Sequence, residues 1–178
     1  MNGVVSLLDE QHHRLVEALW AELAERFGLR GAYVAPFPHF SYQIAPQYDA
    51  DLLKRMLEDV AARQPIFQVQ TTGLGVFTGA QPVLYIPVVR SPQLAQFQQM
   101  LWTELARASQ DASDYYHPDR WIPHITISFS DLDQQRLADV IVWLSERDFT
   151  WTITVDNLAY IDDTGTEQLL RLRCALRA

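Results

Sequence analysis

Apolar positions along the chain come in two rhythms, and they alternate. Val4-Val5-Ser6-Leu7-Leu8 is a short, nearly solid apolar run of buried-strand character. Asp9 is a natural N-cap for the helix expected next. Leu15, Leu19 and Leu23, with Val16, Trp20 and Phe27, recur there at the 3.6-residue period and mark an inward stripe. Gly28 and Gly31 end that helix. A strand is expected over roughly 33–44, with Pro46 breaking it, then a second helix over 49–63 with Leu52, Leu53, Met56, Leu57 and Val60 inward. Residues 67–72 and 74–77 read as strands parted near Gly73. Gly73-x-Gly75 lacks the third glycine of a dinucleotide loop and no helix follows, so it is a turn.

The rhythm then starts again. Residues 83–89 predict a strand, in which Pro87 suggests an edge or a bulge. Ser91 caps a helix with Pro92 at its first position, and Leu94, Phe97, Leu101 and Leu105 face inward. A polar, aromatic loop runs over 109–121, and a strand follows it. Asp131 or Asp133 caps a helix carrying Leu137, Val140, Ile141 and Leu144. Residues 149–155 and 158–161 are expected strands, Asp162-Asp163-Thr164-Gly165 a hairpin turn, and 169–176 the closing strand.

Strand, helix, strand, helix, strands therefore occurs twice, which is an internal duplication in pattern. The expected fold is α+β in a single domain over 1–178: two pseudo-symmetric lobes, one from about 1–80 and one from about 81–178. Their antiparallel sheets would flank a central cleft, with helices outside.

Composition narrows this picture. A chain of 178 residues, 48% hydrophobic and 20% charged, can bury a sizeable core. No stretch approaches the roughly 18 to 20 apolar residues that cross a bilayer, so no membrane partner is expected. The first residues lack the basic start and apolar run of a signal peptide. Cys174 is the single cysteine, which excludes an internal disulfide. These features point to a cytoplasmic protein, expected to act as a monomer. Net charge is −8 and Lys54 is the only lysine, so no partner in the form of long nucleic acid is expected. A nucleotide partner would be small, or an RNA terminus gripped locally.

The strongest chemical signal is a short pattern written twice. Phe37-Pro38-His39-Phe40-Ser41-Tyr42 and Ile122-Pro123-His124-Ile125-Thr126-Ile127 each read apolar, Pro, His, apolar, hydroxyl, apolar. On a strand, residues i and i+2 share a face, so His39 lies beside Ser41 and His124 beside Thr126. Two histidines across a cleft can divide the work, one taking a proton from the nucleophile while the other protonates the leaving oxygen. In-line displacement at phosphorus needs that division. The two hydroxyls can donate to non-bridging phosphate oxygens. No metal or other cofactor is required.

At these residues the chain resembles the two-histidine (2H) phosphoesterases, which include bacterial 2′-5′ RNA ligase-like proteins and 2′,3′-cyclic nucleotide phosphodiesterases. The His-x-Thr/Ser-x marks of that family match His39-Phe40-Ser41-Tyr42 and His124-Ile125-Thr126-Ile127. Gly73-Leu74-Gly75-Val76-Phe77 and the order of elements over nearly the whole chain are similar as well. The resemblance implies metal-independent hydrolysis of a 2′,3′-cyclic phosphate or related phosphodiester, with weak reverse 2′-5′ ligation. It implies His124 as general base on water and His39 as general acid. Ser41 departs from the family's commoner threonine and loses the methyl that fixes the rotamer.

Other residues are candidates of a second rank. Arg120 could neutralise phosphate and Trp121 could stack on a base, against a surface arginine and a core tryptophan as the plainer alternatives. Tyr42, Tyr85, Tyr115 and Tyr116 could line a base pocket or simply pack. His117 with Asp111, Asp114 and Asp119 could suggest a metal, although acidic loops are usually solvated. His12 and His13 read as surface residues at the start of a helix. A binding protein that keeps the cleft without turning over its ligand, and a metal hydrolase using His117 and His124, stay open as alternatives.

Overall fold

The computed structural model describes residues 2–165 and 167–178. In chain order it contains β1 (Asn2–Leu7), α1 (Glu10–Phe27), a 3-10 turn (Gly31–Val34), β2 (His39–Ala45), β3 (Gln47–Tyr48), α2 (Ala50–Arg63), β4 (Phe67–Gln70) and β5 (Gly75–Phe77). It continues with β6 (Val83–Pro87), α3 (Pro92–Leu105), β7 (Ser109–Gln110), a second 3-10 turn (Asp114–Tyr116), β8 (His124–Ser128), α4 (Gln134–Leu144), β9 (Thr152–Val155), β10 (Asn157–Asp163) and β11 (Gln168–Ala175). The fold is α+β. Among the described residues no helix is long and apolar enough to cross a membrane.

Among the described residues, each of the four helices begins where a short polar side chain accepts from the free amide three residues on. Asp9 accepts from the His12 amide at 3.0 Å, Asp49 from Leu52 at 3.0 Å, Ser91 from Leu94 at 3.2 Å and Asp133 from Arg136 at 2.8 Å. Gly28 ends α1 in the left-handed region at φ 72°, where a side chain would be strained. The apolar faces bury as their spacing predicts, with Leu53, Leu57, Leu94, Leu101, Val140 and Leu144 essentially closed to solvent. Leu15 is the exception, turned outward on α1.

One sheet has the order β11-β10-β1-β2, and a second β5-β6-β8, each antiparallel. β4 pairs with β9. It joins the second sheet through a bridge between Thr71 and Val88 and the Val89 amide donating to the Gln70 carbonyl at 2.7 Å. β4 and β5 are thus one strand path broken at Gly73, whose φ of 53° turns the chain. Each sheet draws strands from both halves of the sequence: β10 and β11 complete the sheet begun by β1 and β2. A division of the chain near residue 80 therefore does not coincide with a division between sheets.

Three expectations need correction. The first His-strand starts at His39, not near 33, because Gly31–Val34 coils into a 3-10 turn and Pro36 and Pro38 lack the amide a ladder needs. Pro87 closes β6, which lies between β5 and β8 rather than at an edge, while the irregularity in that ladder falls between Leu84 and Tyr85. His12 is buried, not a surface residue. It packs against Trp151 with ring centroids 5.5 Å apart, and its Nδ1 lies 2.7 Å from Asp9 Oδ1, because the first turn of α1 is seated on β9.

Strand alternation then builds two faces on the first sheet. Val4, Phe40 and Tyr42 join the main core, while Val5, Leu7, Ala159 and Ile161 form a separate small cluster against which Phe37 packs. His39 lies opposite Leu7 and Ser41 opposite Val5, so both stand on that second face. Burying an aliphatic side chain of this kind contributes about 1.5–3 kcal/mol.

Candidate active site

Both motif histidines are held in the same way. His39 Nδ1 lies 2.8 Å from the Phe37 carbonyl, and His124 Nδ1 lies 2.7 Å from the Ile122 carbonyl. A carbonyl oxygen only accepts, so each ring carries its proton on Nδ1 and keeps an unprotonated Nε2. The intervening Pro38 and Pro123, with their fixed φ, set the bend that brings the carbonyl two residues back within reach. The repetition extends to the ladder. The register with β1 skips Tyr42, and that of β6 with β8 skips Ile127, so a bulge follows the hydroxyl residue in each copy.

Both imidazoles are half-buried, and both are held below the ordinary histidine value. Loss of water around the ring is the main cause for His39; its Phe37 carbonyl opposes the shift and the charge of His124 adds to it. His124 is lowered by the same desolvation, opposed by its Ile122 carbonyl. That His39 feels the charge of His124 sets the two rings within electrostatic reach of one another.

The surroundings differ. Ser41 is buried beside the Tyr116 phenol, which burial pushes up to about 12. Thr126 is half-exposed and lies opposite Tyr85. Phe77 and Tyr85 stack at 4.2 Å between centroids and meet the His124 ring at 4.9 and 5.2 Å. Gly75 makes this wall possible. A Cβ there would come within 2.3 Å of the Tyr85 ring, which lies across the bare backbone. Phe77 lies in the resembling Gly73–Phe77 stretch but is not singled out there as a site residue, since its place beside His124 follows from the β5-β6-β8 register.

The structure sorts the remaining candidates. His39 feels the charge of His124, Ser41 and Thr126 lie two residues on along the same strands, and Tyr116 lies beside Ser41. Tyr42 does not join them: it is fully buried in the main core, its hydroxyl 2.9 Å from Ser6 Oγ, and burial raises its phenol. Trp121 is likewise buried, at 2% exposure, so the substrate-contacting places expected of Tyr42 in a base pocket and of Trp121 on a base are corrected to the packing alternative, a place in the core. Its indole N–H donates instead to the Ser41 carbonyl at 2.9 Å. Arg120 is exposed at the end of the loop before β8, and Tyr115, one residue before Tyr116, is 84% exposed. His117 sits beside Trp102, its Nδ1 3.6 Å from Asp119. Among the described residues no three His, Cys, Asp or Glu side chains gather as a metal-holding group.

The comparisons with known proteins fall in line with this geometry. A family model described as the 2′-5′ RNA ligase superfamily matches residues 8–167. The crystal structure of TT0787 of Thermus thermophilus superposes with a TM-score of 0.66 at 13% identity, covering 99% of this chain and 98% of that one. E. coli LigT complexed with 3′-AMP gives 0.62 at 18% identity over the same shares. E. coli LigT complexed with ATP gives 0.56 at 16%. These likenesses are ones of fold. No curated protein matches the chain.

Proposed function

This chain belongs to the 2′-5′ RNA ligase superfamily, the 2H phosphoesterases, and we propose that it opens a 2′,3′-cyclic phosphate, or a related phosphodiester, on a nucleotide or RNA end. The observation that carries this reading is the matched pair of histidines. Each is anchored through Nδ1 and each keeps a free Nε2 in its neutral form. One imidazole takes a proton from water as the water oxygen bonds to phosphorus. The other enters as imidazolium, with a second proton on Nε2, and gives that proton to the departing ribose oxygen as the P–O bond breaks. By the family resemblance His124 is the base and His39 the acid. Ser41 and Thr126 donate to the non-bridging oxygens where charge accumulates.

E. coli LigT has been crystallised with 3′-AMP and with ATP, which supports a small nucleotide as the ligand here. An acidic chain of net charge −8 fits a short ligand better than a long strand. Ligation of 2′-5′ ends is the reverse chemistry and is expected to be weak. The test is phosphorus NMR of a 2′,3′-cyclic nucleotide incubated with the protein in EDTA, beside the His39→Ala, His124→Ala double variant. Ring-opening to one monophosphate isomer, absent in the variant, is the expected result. An unchanged cyclic resonance with the wild-type protein overturns the reading, and tight binding without turnover in that case identifies a binding protein.

A further inference from the structure

β2 and β8 are both edge strands, so backbone groups along one side of each lie outside any ladder. At the hydroxyl-bearing residue of each motif, the carbonyl is taken by a tryptophan from the other half of the chain. Trp121 Nε1–H donates to the Ser41 carbonyl at 2.9 Å, and Trp20 Nε1–H donates to the Thr126 carbonyl at 3.3 Å. Both indoles are buried, at 2% and 4% exposure, where a hydrogen bond is worth most and its loss leaves a carbonyl unpaired. Trp121 stands three residues before His124 in the sequence. The bond therefore ties the approach to the second motif directly to the backbone of the first.

The other end of β8 is tied as well. The Asp131 carboxylate accepts the backbone N–H groups of Arg30 and Gly31, the latter at 2.6 Å. Those residues open the 3-10 turn that leads into β2. Gly31 is pressed so closely on the second motif's flank that a Cβ would fall 1.6 Å from the Phe129 carbonyl. Arg136 completes the seam, donating to the Asp131 carbonyl at 2.6 Å and to the Phe27 carbonyl at 3.2 Å. The two His-strands are thus cross-tied before and after β8 by groups that touch neither imidazole.

We infer that Trp121 is a positioning residue: its indole N–H, gripping the Ser41 carbonyl, sets how His124 stands to His39, with the Asp131 carboxylate holding the opposite flank. In-line transfer needs both Nε2 atoms placed on opposite sides of one phosphorus, and small displacements of reacting groups cost rate steeply. The kinetic arm of this inference rests on the phosphoesterase reading. The structural arm does not.

Trp121→Phe keeps the aromatic bulk and removes the donor. The readout is the His39 titration midpoint, followed by imidazole proton NMR, with and without His124→Ala. In the wild-type background, removing His124 raises the His39 midpoint because its charge is no longer felt. In the Trp121→Phe background that rise is expected to shrink by at least about half, whereas Trp102→Phe, a tryptophan that lies against His117, leaves it intact. Tyr85 and Tyr116 stay protonated throughout, since burial raises both phenols, so the titration reports the imidazoles. With a cyclic nucleotide, kcat is expected to fall about tenfold in Trp121→Phe with KM nearly unchanged. Asp131→Asn, acting from the other flank, is expected to reduce the same His39–His124 coupling and serves if Trp121→Phe does not fold. An undiminished coupling in folded Trp121→Phe, or in Asp131→Asn where that variant stands in, overturns the inference. Absence of cyclic-phosphate turnover in the wild-type protein overturns the phosphoesterase reading instead, and leaves the titration to decide the tether.

Discussion

The two copies of the motif hold their histidines identically and surround them differently. Nδ1 is anchored to the carbonyl two residues back in both, a hydroxyl stands two residues on, and a bulge follows. Beyond that the likeness stops. His39 rests on an aliphatic floor of Val5, Leu7, Ala159 and Ile161, and its partner Ser41 is buried against Tyr116. His124 is walled by the stacked rings of Phe77 and Tyr85, and Thr126 is half open. On the proposed phosphoesterase reading, the two copies share what acid–base chemistry needs from each ring and differ in what tunes it. Two equivalent histidines would compete for one role; two inequivalent ones can divide it.

The largest expected effect tests what the copies share. His39→Ala and His124→Ala should each lower kcat/KM by about 10²- to 10⁴-fold with an unchanged circular dichroism spectrum. Near-normal turnover in either variant breaks the symmetry of need. Gly75→Ala comes next and attacks the second copy alone. Its methyl would meet the Tyr85 ring at 2.3 Å, so the wall beside His124 must move. Overpacking of this sort costs about 1–3 kcal/mol, visible as a lowered Tm, and activity should fall by about tenfold or more while the His39 titration barely changes. A smaller effect separates the hydroxyls. Thr126→Ser should cost no more than a few-fold in kcat. Ser41→Thr, which adds a methyl to a buried position beside Tyr116, should cost more than that. Steady-state kinetics on the two variants checks the order.

The last prediction concerns pH. The base must be neutral and the acid protonated, so the acid limb of kcat/KM follows one imidazole and the alkaline limb the other. Burial lowers both, so the maximum should lie below the ordinary histidine value of 6.5, and a maximum well above it counts against the pair. The sign for stability follows from the same shifts. The unfolded chain binds these two protons more readily, so stability is constant above about 6.5 and falls as pH drops below it toward the lowered folded values. Thermal melts in matched buffers check this.

Much of this was readable in advance because it is local. The caps at Asp9 and Ser91, the choice of Asp131 or Asp133 before the last helix, the helical stripes and the two His-x-Ser/Thr motifs depend on residues within a turn or two of each other. What escaped depends on register and burial. Residue types alone could not tell that Tyr42 and Trp121 pack into the core, nor that His12 is closed in by Trp151. Phe77 reaches His124 only because β5, β6 and β8 align as they do. The interleaving of the halves is equally hidden, since a repeat in pattern says nothing about which copy's strands pair.

That interleaving gives the molecule an order of birth. β1 and β2 leave the ribosome early and can pair at once, yet the floor beneath His39 is finished only by Ala159 and Ile161 on β10. Long-range pairing of this kind closes late. The first motif to be synthesised is therefore the last to be completed, and a nascent chain released short of β10 carries both histidines without the ground one of them stands on.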